Sequence, residues 1–165
     1  NKSSLPKVYG GFNTSLSWKG FDLSAIFAYS IGGYIYNRDV TMILHNGSLE
    51  GRDWSTEILR RWTPDNRYTD VPALSTTSND WNSASTRFLQ NNSYMRLKNL
   101  TLSYNLPKQW ISKLSLSSVQ VYVQGDNLFT IHRNQGLDPE QGITGITYYR
   151  YPAMRTISGG INVSF

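Results

Sequence analysis

The chain has 165 residues, no cysteine, 13 glycines, 11 tyrosines, 5 tryptophans and a formal net charge of +5. Without cysteine there are no disulfides or thiolate metal sites, and with only His45 and His132, far apart in sequence, neither a metal nor a cofactor is expected. Its lysines and arginines are scattered rather than clustered, which argues against nucleic acid; no run approaches the roughly 20 apolar residues of a membrane helix, and no signal peptide is read at its start.

The first run sets Val8, Gly10, Phe12, Thr14, Leu16 and Trp18 against Tyr9, Gly11, Asn13, Ser15 and Ser17. After Lys19-Gly20, a second run sets Phe21, Leu23, Ala25, Phe27, Tyr29 and Ile31 against mostly small or polar residues, with Ile26 and Ala28 as exceptions. Such alternation predicts strands over 8–18 and 21–31. A turn at Lys19-Gly20 would pair Trp18 with Phe21, Leu16 with Leu23, Phe12 with Phe27 and Gly10 with Tyr29, bringing the large apolar residues together on one face. A slip of one residue would destroy that match.

Residues 32–93 lack such alternation. Gly32-Gly33 end the second strand, Asp53 is placed to cap a short helix over Trp54 to Trp62, and Thr63-Pro64 would stop it. From Asp65 to Asn92 the chain is rich in Ser, Thr, Asn and Asp, with too little apolar content for a separate domain. A connection of this length is usually functional. A third strand is predicted over 94–106, with Leu100, Leu102, Tyr104 and Leu106 on its apolar face; the same parity carried upward puts Arg96 and Lys98 on that face too. A fourth follows over 118–130, then a loop over 131–154, then a fifth strand over 155–165 in which Ile157, Ile161, Val163 and Phe165 alternate with small polar residues. Within the loop, Asp138 and Glu140 flank Pro139, which reads as a turn rather than a calcium site.

The connections therefore alternate short, long, short, long. A soluble lectin-like β-sandwich would share the alternation within strands but place long loops at both ends. Transmembrane barrels have short periplasmic turns and long extracellular loops, and cross with strands of about 9–11 residues. On that reading Trp18, Phe21, Tyr104 and Phe165 fall at the periplasmic rim, and Tyr29, Tyr94 and Phe129 toward the other, as two aromatic girdles. Arg155 would reach the outer headgroups, with Arg96 and Lys98 near it, as outward cations facing lipid and lipopolysaccharide phosphates or simply solvent. Five strands would leave two open edges in lipid, so the chain is expected to be part of a larger barrel. The acids are dispersed and no nucleophile stands at a recognisable spacing from a base, so no enzyme and no catalytic residues are expected.

These motifs, in order and spacing, resemble the C-terminal end of the SusC/RagA family of TonB-dependent outer-membrane transporters of Bacteroidota. The likeness rests on Lys19-Gly20-Phe21-Asp22-Leu23-Ser24, Gly32-Gly33 with Tyr36-Asn37, Arg61-Trp62-Thr63-Pro64-Asp65-Asn66 and Ser93-Tyr94-Met95-Arg96-Leu97-Lys98-Asn99-Leu100-Thr101-Leu102-Ser103-Tyr104. It continues through Asn127-Leu128-Phe129-Thr130, Asp138-Pro139-Glu140, Tyr151-Pro152 and Arg155-Thr156. The resemblance implies an all-β fold in which residues 1–165 supply the last five antiparallel strands of a 22-stranded transmembrane β-barrel. Residues 32–93 and 131–154 would be its extracellular loops, the first carrying a short helix.

It also implies import of glycans or peptides, with energy from TonB and a SusD-like surface lipoprotein as lid; the plug and the segment TonB grips would belong to a region outside this chain. A passive porin or receptor barrel without TonB coupling is the alternative. The expected location is the bacterial outer membrane with the C-terminus on the periplasmic side, where Phe165 resembles the terminal aromatic read by the barrel-assembly machinery. Trp54, Trp62, Tyr68 and Trp81, with Tyr148 and Tyr149 of the second loop, are the candidate substrate or lid contacts. The plainer reading of the loop aromatics is a small core that packs the loop itself.

Overall fold

The computed structural model describes residues 2–47, 49–75, 77–78, 81, 83–112, 116–134, 136, 138–140 and 142–165. Its elements are β1 (Val8–Trp18), β2 (Phe21–Ile31), β3 (Tyr34–Asn37), α1 (Arg38–Ile43), β4 (Leu89–Asn91), β5 (Tyr94–Asn105), α2 (Lys108–Ile111), β6 (Ser118–His132), β7 (Ile146–Thr147) and β8 (Thr156–Ser164). Five long strands form an antiparallel meander in the order β1-β2-β5-β6-β8. Each of the five predicted strands is present, with its ends shifted by two residues at most.

The hairpin forms in the expected register. Trp18 pairs with Phe21, Leu16 with Leu23, Phe12 with Phe27 and Gly10 with Tyr29. Lys19 and Gly20 both hold positive φ, at 48° and 87°, the two-residue turn whose twist matches the strands it joins. The Phe12 and Phe27 rings stack with centroids 4.7 Å apart. A Cβ on Gly10 would lie 3.0 Å from the Tyr29 hydroxyl, so the tyrosine covers the bare glycine. Tyr122 covers Gly160 in the same way on the opposite face.

That opposite face is a polar ladder. Asp22 accepts from Ser17 and Asn105, Gln120 donates to Ser103 and Asn105 and accepts from Asn162, and Asp126 accepts from Asn99 and Gln124. The apolar face leaves Leu16, Trp18, Ile157 and Ile161 well exposed. A single sheet with one polar and one bare apolar face has no core of its own.

The alternation breaks at one level. Between β2 and β5 the pairing moves from Ile26–Asn99 to Phe27–Leu97, so Lys98 is an extra residue with no partner of its own. Between β5 and β6 it moves from Leu97–Phe129 to Asn99–Asp126, with Asn127 at φ 52°. Each neighbour thus adds one residue at the same height, a bulge propagated across three strands. Below it the apolar residues of β5 are Leu100, Leu102 and Tyr104; above it they are Met95 and Leu97, opposite Tyr29 and Phe27.

This corrects the expectation that Arg96 and Lys98 face outward, because unbroken parity does not survive the inserted residue. Arg96 pairs with Ala28 and Thr130 on the polar side, donating to the Thr130 hydroxyl, and Lys98 is drawn to Glu140 beside it. Tyr94, assigned to a girdle, turns with Arg96 and pairs with Ser30 and His132.

The two long connections fold together at one end of the sheet. There β3 pairs antiparallel with β4 and parallel with β7, joining the loop over 32–93 to the loop over 131–154. Asn37 caps α1, its side chain accepting from the Val40 amide. The helix predicted over Trp54 to Trp62 with Asp53 as cap is instead a 3-10 turn at Thr56–Arg60 capped by Ser55, which accepts from the Glu57 amide. Such tight turns rarely run longer. It stops where Thr63 and Asn66 close a turn through reciprocal backbone bonds and the Asn66 amide donates to the Arg60 and Arg61 carbonyls.

Candidate functional site

The cap has the core that the sheet lacks. Ile35, Leu44, Ile58, Val71 and Phe88 are buried together at that end, with Ile35 at 1% and Phe88 at 2% exposure. Trp81 donates to the Leu44 carbonyl, meets Phe88 edge-on at 6.4 Å and carries the Arg87 guanidinium over its ring at 3.5 Å. Trp54 donates to His45 Nδ1 at 3.0 Å, with the two rings 5.3 Å apart. Of the candidate contact residues, Trp54 and Trp81 are therefore tied into loop packing, while Trp62 is exposed and Tyr68 fully so.

Tyr148 and Tyr149 stand together, rings 4.1 Å apart, against α1 and its flank. Arg38 lies over the Tyr148 ring at 4.6 Å. Tyr149 donates its amide to Asp39 at 3.1 Å and accepts at its hydroxyl from Arg52 at 3.3 Å. The Arg52 hydrogen bond lowers the Tyr149 phenol below its ordinary pKa, and the contact with Tyr149 raises that of Tyr148. Tyr149 sits at φ 48°, a left-handed conformation costing a bulky residue about 1–2 kcal/mol. Such strain concentrates at functional positions. A cleft of about 550 Å³ opens here between α1, residues 51–53 and Tyr149-Arg150.

Below it lies a second cluster. The Arg96 side chain, 3% exposed, pairs with Asp138, 7% exposed, and at 2.8 Å with Glu140; Lys98 also binds Glu140. Asp138 further accepts from the amides of Glu140 at 2.9 Å and Ala153 at 2.7 Å. Burial pushes the Asp138 carboxyl up, but those amides and the Arg96 guanidinium outweigh it and hold the group below the usual carboxylate range. Asn92 donates to the Pro139 carbonyl and accepts from Asn134, completing a strap from the sheet to the loop over 131–154.

Sequence reasoning treated Asp138-Pro139-Glu140 as a turn and missed this latch. The signal was present in β5 itself, where the apolar phase shifts from even to odd positions on either side of Lys98. Arg155 is exposed one residue before β8, with no ion-pair partner among the described residues.

No family model matches the chain. It is 34% identical over 171 residues to TonB-dependent receptor P3 of Formosa agariphila, covering 97% of this chain and 16% of that protein. It is 27% identical to TonB-dependent receptor SusC of Bacteroides thetaiotaomicron, covering 99% of this chain and 16% of SusC. Among solved structures it superimposes on the RagAB peptide importer in the "closed-closed" state with a TM-score of 0.87, at 35% identity over 100% of this chain and 18% of that one. The chain belongs to the SusC/RagA family of TonB-dependent outer-membrane receptors.

Within that family it is part of the C-terminal barrel portion, and its five-stranded meander is a segment of barrel wall. The chain spans about a sixth of the length of the curated relatives it matches, at 16% and 17%. The match to the RagAB importer in the "open-open" state is nearly the same, with a TM-score of 0.86.

Proposed function

We propose that the full-length protein containing this chain is an active importer of oligosaccharides or peptides, driven by TonB and lidded by a SusD-like surface lipoprotein. The observation that carries the reading is the sheet's division into a bare apolar face and a hydrogen-bonded polar face, with both long loops gathered into one cap at a single end. The apolar face meets lipid and the polar face lines the lumen. The cap is extracellular, and the turn at Lys19-Gly20, the connection carrying α2 and the C-terminus are periplasmic.

Trp18, Phe21 and Tyr104 then form the periplasmic girdle with Phe165, and Tyr29 and Phe129 the outer one. Phe21 and Tyr104 already lie in contact, centroids 4.5 Å apart. Arg155 is the remaining cation for outer-leaflet phosphates, since Arg96 and Lys98 are engaged by acids. Phe165 serves as the assembly signal, and its removal is expected to lower outer-membrane assembly of the full-length protein, read by immunoblot of outer-membrane fractions.

The deciding experiment is uptake of labelled peptides and oligosaccharides by cells with and without the receptor, and with and without TonB. Loss of receptor-dependent uptake when TonB is removed is expected. Uptake that persists without TonB would instead make the barrel a passive porin.

A further inference from the structure

Above β8 the wall has a gap. β8 begins at Thr156, opposite Asp126, whereas β6 runs on to His132, so the upper end of β6 is flanked on that side by the segment 150–155 instead of a strand. Asn127 ties the segment down by donating to the Met154 carbonyl. Between them lies a cavity of about 330 Å³ walled by Arg150, Arg155 and Phe129, and it reaches Arg96 and Asp138 of the latch.

The charges around this cavity do not cancel. Its carboxylate, Asp138, is engaged by Arg96 and by the amides of Glu140 and Ala153. Arg150 and Arg155 are both exposed and have neither a hydrogen-bond nor an ion-pair partner among the described residues. Guanidiniums left over in this way match a phosphate, which they bind through paired N–H groups.

The surroundings are apolar rather than wet. Phe129 pairs with Leu97 on the sheet's apolar face, and in the segment itself Tyr151 is 98% and Met154 80% exposed. A small soluble anion has no use for such a border, whereas an amphiphile with a charged head does. The height agrees as well. Arg155 stands ten residues from Phe165, about 25 Å at a strand tilt of about 40°, which is the height of the apolar band of an outer-membrane barrel.

We propose that Arg150 and Arg155 form a binding site for the phosphate of an outer-leaflet glycolipid, whose acyl chains run down the apolar face past Phe129 and Ile157 while Tyr151 and Met154 lie at the headgroup boundary. The inference rests on the reading of the apolar face as lipid-facing, and it turns Arg155 from a lone rim charge into one half of a built site.

The test uses the full-length receptor with its lipoprotein partner, solubilised from the outer membrane and stripped of bound lipid by detergent exchange. The complex is incubated with bisphosphorylated lipid A, with the same lipid A freed of its phosphates, and with radiolabelled inorganic phosphate; retained lipid is quantified by mass spectrometry and retained phosphate by counting. Retention of the phosphorylated lipid alone is expected, with a loss of about tenfold in the Arg150→Gln, Arg155→Gln double variant. Lys108→Gln, which removes one positive charge near the other end of the sheet, is expected to leave retention unchanged.

Equal retention of the two lipids would overturn the inference, as would equal retention by the double variant and wild type, or an equal loss in Lys108→Gln. Retention of inorganic phosphate without lipid would make the cavity a site for a free anion and overturn it too. Those outcomes leave TonB-dependent uptake standing, and the lipid-facing reading of the sheet is judged separately, by quenching of labelled β5 positions with brominated lipid.

Discussion

The sheet and the cap are stabilised in opposite ways. In the five-stranded wall, large apolar side chains such as Leu16, Ile157 and Ile161 are exposed, and order comes from the hydrogen-bonded ladder, cross-strand pairs and the medium that covers the apolar face. In the cap, Phe88 and Ile35 are sealed among their own neighbours. The difference teaches where mutations will hurt: the wall tolerates truncation of single side chains because lipid fills the space, and the cap does not.

The largest effect is therefore expected in the cap. Phe88→Ala should cost about 3–5 kcal/mol of cap stability. Arg96→Met, which leaves Asp138 buried without its cation, should cost about 3–5 kcal/mol. Both would appear as proteolytic nicking within residues 32–93 or 131–154 of the full-length receptor while the barrel keeps its heat-modifiable migration. Phe12→Ala, by contrast, loses chiefly its stack on Phe27, about 0.5–1.5 kcal/mol, and should leave both loops protected. Equal sensitivity of the two sites would erase the distinction between wall and cap.

The latch sharpens the comparison through pH. Asp138 titrates below its ordinary value, so its contribution is fully present above the unfolded carboxylate pKa of about 3.9 and is lost as pH falls through the lower folded value. Pepsin cleavage within 131–154 should begin only below that ordinary range. Cleavage already rising near neutrality would contradict the latch. The smallest effect belongs to Lys98→Gln: its pair with Glu140 is a third or more exposed on both sides and should contribute about 0–1 kcal/mol, with no change in cleavage.

The same contrast explains what the sequence disclosed. The wall was legible because each strand repeats every second residue, and because the Lys19-Gly20 turn fixes the register of Phe12 on Phe27. The cap was not. Strands of two to four residues carry no period, and Tyr149 reaches Asp39 from 110 residues away, a pairing no local pattern announces. α1 is six residues long, too short to show a helical face, and Ser55 rather than Asp53 caps the turn because the turn begins two residues later than expected.

Of the candidate site, Tyr148 and Tyr149 were named from sequence and lie beside the cleft, whereas Asp53 was read only as a helix cap and Asp39, Arg52 and Arg150 were not singled out. A charged residue gives no sign in sequence of which distant loop will face it.

The bulge at Lys98 is the point on which the inward turn of Arg96, and with it the latch between sheet and cap, depends. It is tested most directly by single cysteines at positions 95 to 103 of β5 in the full-length receptor, each labelled with a fluorophore and read for quenching by brominated lipid. The expected result is lipid exposure at Met95, Leu100 and Leu102, and none at Arg96, Asn99 and Ser103, a phase shift at Lys98. An unbroken two-residue alternation that puts Arg96 and Lys98 in lipid with Leu100 and Leu102 would contradict it.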